Sequence, residues 1–312
     1  MKTDKAQKIL LIALGGNALI RKKQTGTLEE QLQNLKVPIR EVARLSRNYR
    51  VIITHGNGPQ VGNLQLQQEA CEAVPKMPLE ILVAQTQGQI GYMIESTLDS
   101  ELMALGIVTQ KCIVSLISYV VVDENDGAFK HPSKPIGPAY TEHEAAALPY
   151  PTLKTAKGYR RVVASPRPVT IVEKREIREL IERDFIVICC GGGGIPVIRE
   201  GRSFCGVDAV IDKDLASAKL AEEVGVDLFV IATDVKGVAL DYGKKNQKYL
   251  RTLTFNEALK YRDAGHFPEG SIWPKIEAGM QFLKNGGQTA LICSIEEIED
   301  AVLGNAGTRI VR

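Results

Sequence analysis

No stretch of this 312-residue chain approaches the length of a membrane-spanning helix. The single apolar run near the start, Ile9 to Leu14, passes straight into Gly-Gly-Asn. It is too short for the apolar region of a signal peptide and reads as a buried strand. Excess charge is also missing. Lys plus Arg is 39 and Asp plus Glu is 37, a net +2, which argues against a nucleic-acid or membrane-surface partner and requires any anion site to be built locally. The six cysteines have neither metal-site nor redox spacing, and the four histidines form no cluster with them. No zinc or other protein-held metal site is therefore expected, and the thiols read as buried in a reducing cytoplasm. Two nucleotide signatures are missing as well. There is no G-x-x-x-x-G-K-[ST], and no G-x-G-x-x-G run followed by an acidic residue placed for a ribose.

The chain does have alternating apolar runs and amphipathic segments. Strands are expected at Ile9–Leu14, Val51–Thr54, Ile113–Val122, Phe185–Cys190, Ala209–Ile211, Leu228–Ala232 and Thr289–Cys293. Helices are expected at Leu28–Asn48, Pro59–Ala73, Pro78–Leu105, Lys174–Arg183, Ala216–Glu223, Phe255–Ala264, Pro274–Asn285 and Ile295–Leu303. This alternation predicts an α/β fold: an open, mostly parallel central sheet with helices on both faces and ligands at the carboxyl ends of the strands. Residues 123–168 break the rhythm with proline, glycine and charge, and are expected to form a small subdomain that protrudes beside the site.

The chemistry sits where strands end. Gly15-Gly16-Asn17 follows the first strand, and His55-Gly56-Asn57-Gly58-Pro59 follows the second. Both suit a turn that brings backbone N–H groups to an anion at a helix N-terminus. His55 invites a role as general base, but transfer of phosphate to an ionised acceptor needs none. Gly191 to Gly194 follow a third strand, and such a costly run implies close approach to the backbone. Asp212-Lys213-Asp214 brackets one cation with two carboxylates, and Lys275 opens a helix where the dipole disfavours it unless an anion compensates. The segment from Thr233 to Tyr242 follows another strand and includes apolar and aromatic residues suited to an adenine ring.

Together these motifs resemble the carbamate kinase family of the amino acid kinase superfamily, over essentially the whole chain. The resemblance is carried by ALGGNAL (13–19), THGNGPQVG (54–62), QGQIGYM (87–93), KPIGPAY (134–140), RRVVASPRP (160–168), GGGGIPV (191–197), VIDKDLA (210–216), ATDVKGV (232–238) and GS..PK (270–275). It implies reversible phosphoryl transfer between ATP and carbamate, giving ADP and carbamoyl phosphate, with Mg²⁺ accompanying the nucleotide. It also implies a cytoplasmic homodimer and a use in catabolic ATP synthesis. One domain is expected over 1–312: an acceptor-side lobe over about 1–205 that carries the inserted subdomain, and a nucleotide-side lobe over about 206–312.

By position, the resemblance makes Gly15, Gly16, Asn17, Gly192 and Gly193 phosphate-binding, and Gly56, Asn57 and Gly58 acceptor-binding. It makes Lys134, Lys213 and Lys275 the catalytic cations, with Asp214 orienting lysines. Thr233, Asp234, Val235, Val238, Tyr242, Gly270, Ser271 and Ile272 would bound the nucleotide. Two positions depart from the family pattern: Cys190 stands for a serine before the glycine run, and Trp273 for a glycine before Pro274-Lys275. The second places a large ring near the expected nucleotide site. Two other readings are a kinase of another small carboxylate or amino acid derivative, and a nucleotide-binding regulator without turnover.

Overall fold

The computed structural model describes residues 7–155, 158–267 and 272–312. Its main sheet contains β1 (Ile9–Leu14), β2 (Arg50–His55), β3 (Ile113–Ser115), β9 (Ile186–Ile188), β12 (Leu228–Thr233), β15 (Thr252–Thr254), β16 (Thr289–Ser294) and β17 (Thr308–Val311), in the order β15-β17-β16-β12-β1-β2-β9-β3. Only the β16–β17 pair is antiparallel. Such a sheet must be covered on both faces. The helices supplied are α1 (Leu28–Leu45), α2 (Gly58–Ala70), α3 (Leu79–Ala104), α4 (Glu142–Ala146), α5 (Lys174–Glu182), α6 (Lys213–Val224), α7 (Phe255–Asp263), α8 (Trp273–Lys284) and α9 (Ile298–Val302). None of them is long and apolar enough to cross a membrane.

The period-2 geometry of a strand divides the core. Leu11 and Ala13 of β1 pack with Ile177 and Ile181 of α5, Leu220 of α6 and Ile276 and Phe282 of α8. Leu10, Ile12 and Leu14 of the same strand face Leu35 and Ile39 of α1, Ile90 and Ile94 of α3, and Ile298 of α9. β1 therefore lies between two cores, and its carboxyl end is held rigidly.

A second sheet has the order β11-β10-β4-β8, from β4 (Tyr119–Val122), β8 (Pro168–Ile171), β10 (Ile195–Glu200) and β11 (Ser203–Gly206). The long strand expected at 113–122 is thus two strands in different sheets. The α3 side chain Gln87 causes the break: its Oε1 accepts from Ser118 N at 2.9 Å and its Nε2 donates to Ser118 O. Once a side chain satisfies those backbone groups, the chain can leave one ladder and enter another. The strand expected at 209–211 is only a single bridge, Ala164 to Ala209. The expected helix at Ala216 begins earlier, at Lys213, because the Asp212 side chain caps it by accepting from Asp214 N and Leu215 N.

Part of the segment expected to protrude forms its own antiparallel sheet, β5-β7-β6, from β5 (Lys134–Tyr140), β6 (Thr152–Thr155) and β7 (Gly158–Val163). A short hairpin of β13 (Ala239–Leu240) and β14 (Lys248–Tyr249) completes the strands.

Candidate active site

Three strand ends converge. Gly15 N donates to Ala232 O at 2.9 Å, and Gly56 N donates to Leu14 O at 3.0 Å. A Cβ on Gly56 would stand 3.2 Å from Gly16 N, so these two loops meet backbone to backbone. Gly16 and Gly58 face open space, where a ligand can approach. The glycines after β9 differ. A Cβ on Gly191 would fall on the His55 ring, on Gly192 on the Asn57 amide, on Gly193 on Ile211 O, and on Gly194 on Val120. Gly192, Gly193 and Gly194 also have φ of 68°, 92° and 84°. The close approach expected for this run is therefore made by protein atoms. Asn57 is a wedge rather than a free donor: its Nδ2 donates to Thr86 Oγ1 at 2.8 Å.

The cations gather beside these loops. Lys213 Nζ lies 2.5 Å from Asp214 Oδ1, and Lys275 Nζ lies 2.9 Å from Asp214 Oδ2. One carboxylate, only 2% exposed, thus holds two ammonium groups, one on each oxygen. Lys134 of β5 reaches Asp212 Oδ2 at 3.0 Å. Three lysines from different segments are set by two carboxylates on one helix N-terminus, leaving net positive charge locally. Asp212 was expected only as the second carboxylate bracketing Lys213; its bond to Lys134 was not foreseen, because the two residues are far apart in sequence.

The charges shift one another. Burial alone pushes the Asp214 carboxyl up, but Lys213 and Lys275 outweigh it and hold the group at about 2. Burial lowers Lys213 despite Asp214, whereas Asp214 outweighs burial at Lys275 and raises it. The anion expected to compensate Lys275 at its helix N-terminus is thus Asp214.

The cleft opens into a cavity of about 550 Å³. Asn17 and Lys275 line it on the lysine side, and Thr233, Asp234, Val235, Tyr242 and Ile272 line it further on, as the motifs suggested. Val238 stands elsewhere: it is fully buried, with its N–H donated to Thr308 Oγ1 at 2.8 Å. Gly270 and Ser271 lie outside the described residues. Sequence reading missed Lys22, Lys244 and His266 in the lining, because isolated polar residues in loops carry no spacing signal. The Trp273 ring is not in the lining. It packs on the core, with the Arg262 guanidinium 4.9 Å from its centroid, so its neighbour Ile272 faces the cavity instead.

His55 lies behind the loops, with Nδ1 3.1 Å from Gly56 O. Burial, aided by the charge of Lys213, depresses its imidazole from 6.5 to about 4. It is therefore neutral at pH 7. A histidine buried in its neutral form stabilises the fold fully above pH 6.5 and loses that contribution as pH falls toward 4. The loss should reach about 3 kcal/mol. Denaturant titrations of wild type and His55→Gln at pH 7 and pH 4.5 should show a clearly smaller acid loss in the variant; equal losses would remove His55 as the cause.

The subdomain sheet is fastened to α2. Tyr140 and Tyr150 both donate their hydroxyls to Glu69, each at 2.9 Å, and Gln65 Nε2 adds a third donor at 3.1 Å. Gly137, at φ 66°, lets β5 lie close on Gln65 and Gly62. Glu69→Ala would strip two phenols of a charged acceptor, a loss of roughly 1.5–3 kcal/mol per bond. Amide exchange in β5–β7 should then accelerate at least tenfold while exchange in β1 and β12 stays unchanged; unaltered β5–β7 exchange would show that the latch is idle.

Glycine loops at the carboxyl ends of a parallel sheet, three lysines held on two carboxylates, and an adjoining cavity define an α/β phosphotransferase. The amino acid kinase family profile matches residues 8–294. The carbamate kinase of Thermococcus kodakarensis is 46% identical over 98% of this chain and 99% of its own length. That of Haemophilus influenzae is 46% identical over 97% and 96%. The solved carbamate kinase from Giardia lamblia bound to AMP-PNP superposes with a TM-score of 0.90, at 39% identity over 98% of this chain and 99% of that one. The chain belongs to the amino acid kinase family, in its carbamate kinase branch.

Proposed function

We propose that the protein transfers phosphate reversibly between ATP and carbamate, giving ADP and carbamoyl phosphate, and serves ATP synthesis in catabolism. The observation that carries this reading is the paired grip of Asp214 on Lys213 and Lys275 at the mouth of the cavity. In the direction of carbamoyl phosphate formation, an acceptor oxygen bonds to the γ-phosphorus while the bond to the leaving ADP oxygen breaks. Lys213, Lys275 and Lys134 neutralise the non-bridging and leaving oxygens, and the turn at Gly15, Gly16 and Asn17 supplies N–H donors. Gly56, Asn57 and Gly58 border the acceptor, with Asn57 acting through its backbone because its amide is engaged by Thr86. Gly192 and Gly193 contribute by letting Asn57 and the Ile211 carbonyl seat beneath the site. Carbamate is already anionic, so a neutral, buried His55 is no obstacle: no base is required.

The nucleotide would occupy the cavity walled by Thr233, Asp234, Val235, Tyr242 and Ile272; the resemblance also assigns Gly270 and Ser271 to nucleotide binding. Val238 supports that wall from behind. Mg²⁺ would arrive with the nucleotide and neutralise its phosphates. Asp234, which lines the cavity within electrostatic reach of Lys275, is the carboxylate suited to face it. The acceptor-side lobe (about 1–205) and nucleotide-side lobe (about 206–312) would meet across the lysines. A cytoplasmic homodimer follows from the resemblance; the exposed face of α3, with Tyr92 at 69% and Met103 at 63%, beside the edge strand β3, is suited to the subunit contact.

A coupled assay for ATP formation from carbamoyl phosphate and ADP tests the reading. Turnover that requires both compounds is expected. Turnover only with another acyl phosphate would reassign the acceptor, and nucleotide binding without turnover would overturn the enzyme reading.

A further inference from the structure

The opposite end of the main sheet carries a second concave site, unrelated to the lysines just described. There Lys8 before β1, the amino ends of β12, β16 and β15, and Gly307 and Arg309 at the start of β17 enclose about 380 Å³, within the range of small-molecule pockets. The floor is apolar, with Leu228 and Leu291 only 8% and 5% exposed. The rim holds Lys8, Arg251 and Arg309, together with the hydroxyls of Thr252 and Thr289.

The rim is electrostatically unusual. Arg309 N donates to Arg251 O at 2.9 Å, so Arg251, just before β15, and Arg309 of β17 are backbone neighbours at this rim. No acidic residue lines this pocket. Among the described residues, Lys8, Arg251 and Arg309 make no ion pair, although many other cations of this chain do. The Arg309 side chain makes one hydrogen bond among the described residues, to Thr289 Oγ1 at 3.2 Å. Asp227, next to Leu228, is engaged elsewhere: its oxygens accept from Ile9 N and Gln288 Nε2, and it does not line the pocket. Three cations on one rim with no acidic residue in the lining give the pocket a positive potential that favours an anion. Two guanidinium forks offer paired donors that suit phosphate oxygens, and the Lys8 ammonium adds a point charge.

We infer that this pocket is a binding site for a small phosphorylated anion, distinct from the phosphoryl-transfer cleft. β1 and β12 run from this pocket to the Gly15 turn and to Thr233, so an occupant would sit at the far ends of the strands that carry the proposed site.

Pyrophosphate is the probe, titrated calorimetrically into the full chain at low salt. Wild type should show two binding events, one at each end of the sheet. Arg251→Gln/Arg309→Gln should lose one of them, weakened roughly a hundredfold or more by the missing charged donors, while Lys213→Ala/Lys275→Ala loses the other. Both arginines are exposed, so the fold should persist; Lys8→Gln, which should weaken the same event more mildly, repeats the test if the double variant is unstable. A double-arginine variant that titrates like wild type would overturn the inference, as would a single wild-type event abolished by Lys213→Ala/Lys275→Ala. Failure of the carbamate reading would leave this result untouched, because no turnover is measured.

Discussion

Lys213→Ala is expected to lower turnover by roughly 10²–10³-fold, by analogy with the removal of one preorganised charge donor from a transition-state site. The buried ammonium lies against Asp214 beneath the meeting point of the Gly16 and Gly56 turns, where water cannot easily replace it. The effect should fall on kcat, because charge migrates between oxygens only during transfer; the nucleotide KM should change much less, since Lys275 and the cavity remain. Stability should drop only modestly, because Asp214 keeps Lys275 as a partner at 2.9 Å. The coupled ATP-forming assay measures this directly. A variant with near-wild-type kcat would remove Lys213 from the reaction.

Asp214→Ala should have the largest effect on the fold. It leaves two largely buried ammonium groups without the carboxylate that both of them touch. Breaking such a group typically costs about 3–5 kcal/mol, so the melting midpoint should fall by on the order of 10 °C. Burial already lowers Lys213, and losing Asp214 removes its main counter-charge. The ammonium should then lose its proton nearer neutral pH, and turnover should rise with acidity rather than run parallel to wild type. Asp214→Asn keeps the shape but only one of the two acceptor oxygens, so it should restore at most a small part of the stability and none of the charge. A variant that melts like wild type would mean that the two lysines do not depend on this carboxylate.

The acid behaviour of the two buried groups can be separated. The Asp214 carboxyl is depressed to about 2, so its contribution is complete above pH 4 and fades only as pH falls toward 2. Of these two groups, only His55 loses its contribution between pH 6.5 and 4. The two windows do not overlap, and each variant should flatten only its own.

Much of the site was legible because strand-end chemistry is local. A glycine pair after an apolar run, a Lys between two Asp, and a Lys just inside a helix are visible within a few residues, and the structure gathers Gly15, Gly16, Gly56, Lys213 and Lys275 around one cleft. What stayed hidden depended on partners far along the chain. Trp273 was expected near the nucleotide, yet the core and Arg262 claim its ring. Val238 lay within the right segment but on the wrong side of its wall, because Thr308, distant in sequence, accepts its N–H. The long strand at 113–122 divided because Gln87, from a helix, satisfied the backbone at Ser118.

The amino-acid order alone determined the alternation of strands and helices, the placing of glycine and lysine at strand ends, and the family, since each follows from spacing along the chain. Tertiary structure decided which cation meets which carboxylate, why four successive glycines are needed, and that a subdomain sheet delivers Lys134 to Asp212. The reason is physical: Coulomb attraction and steric contact depend on distance in space, and Asp214 and Lys275 become neighbours only when the helices that bear them pack on the same face of the sheet.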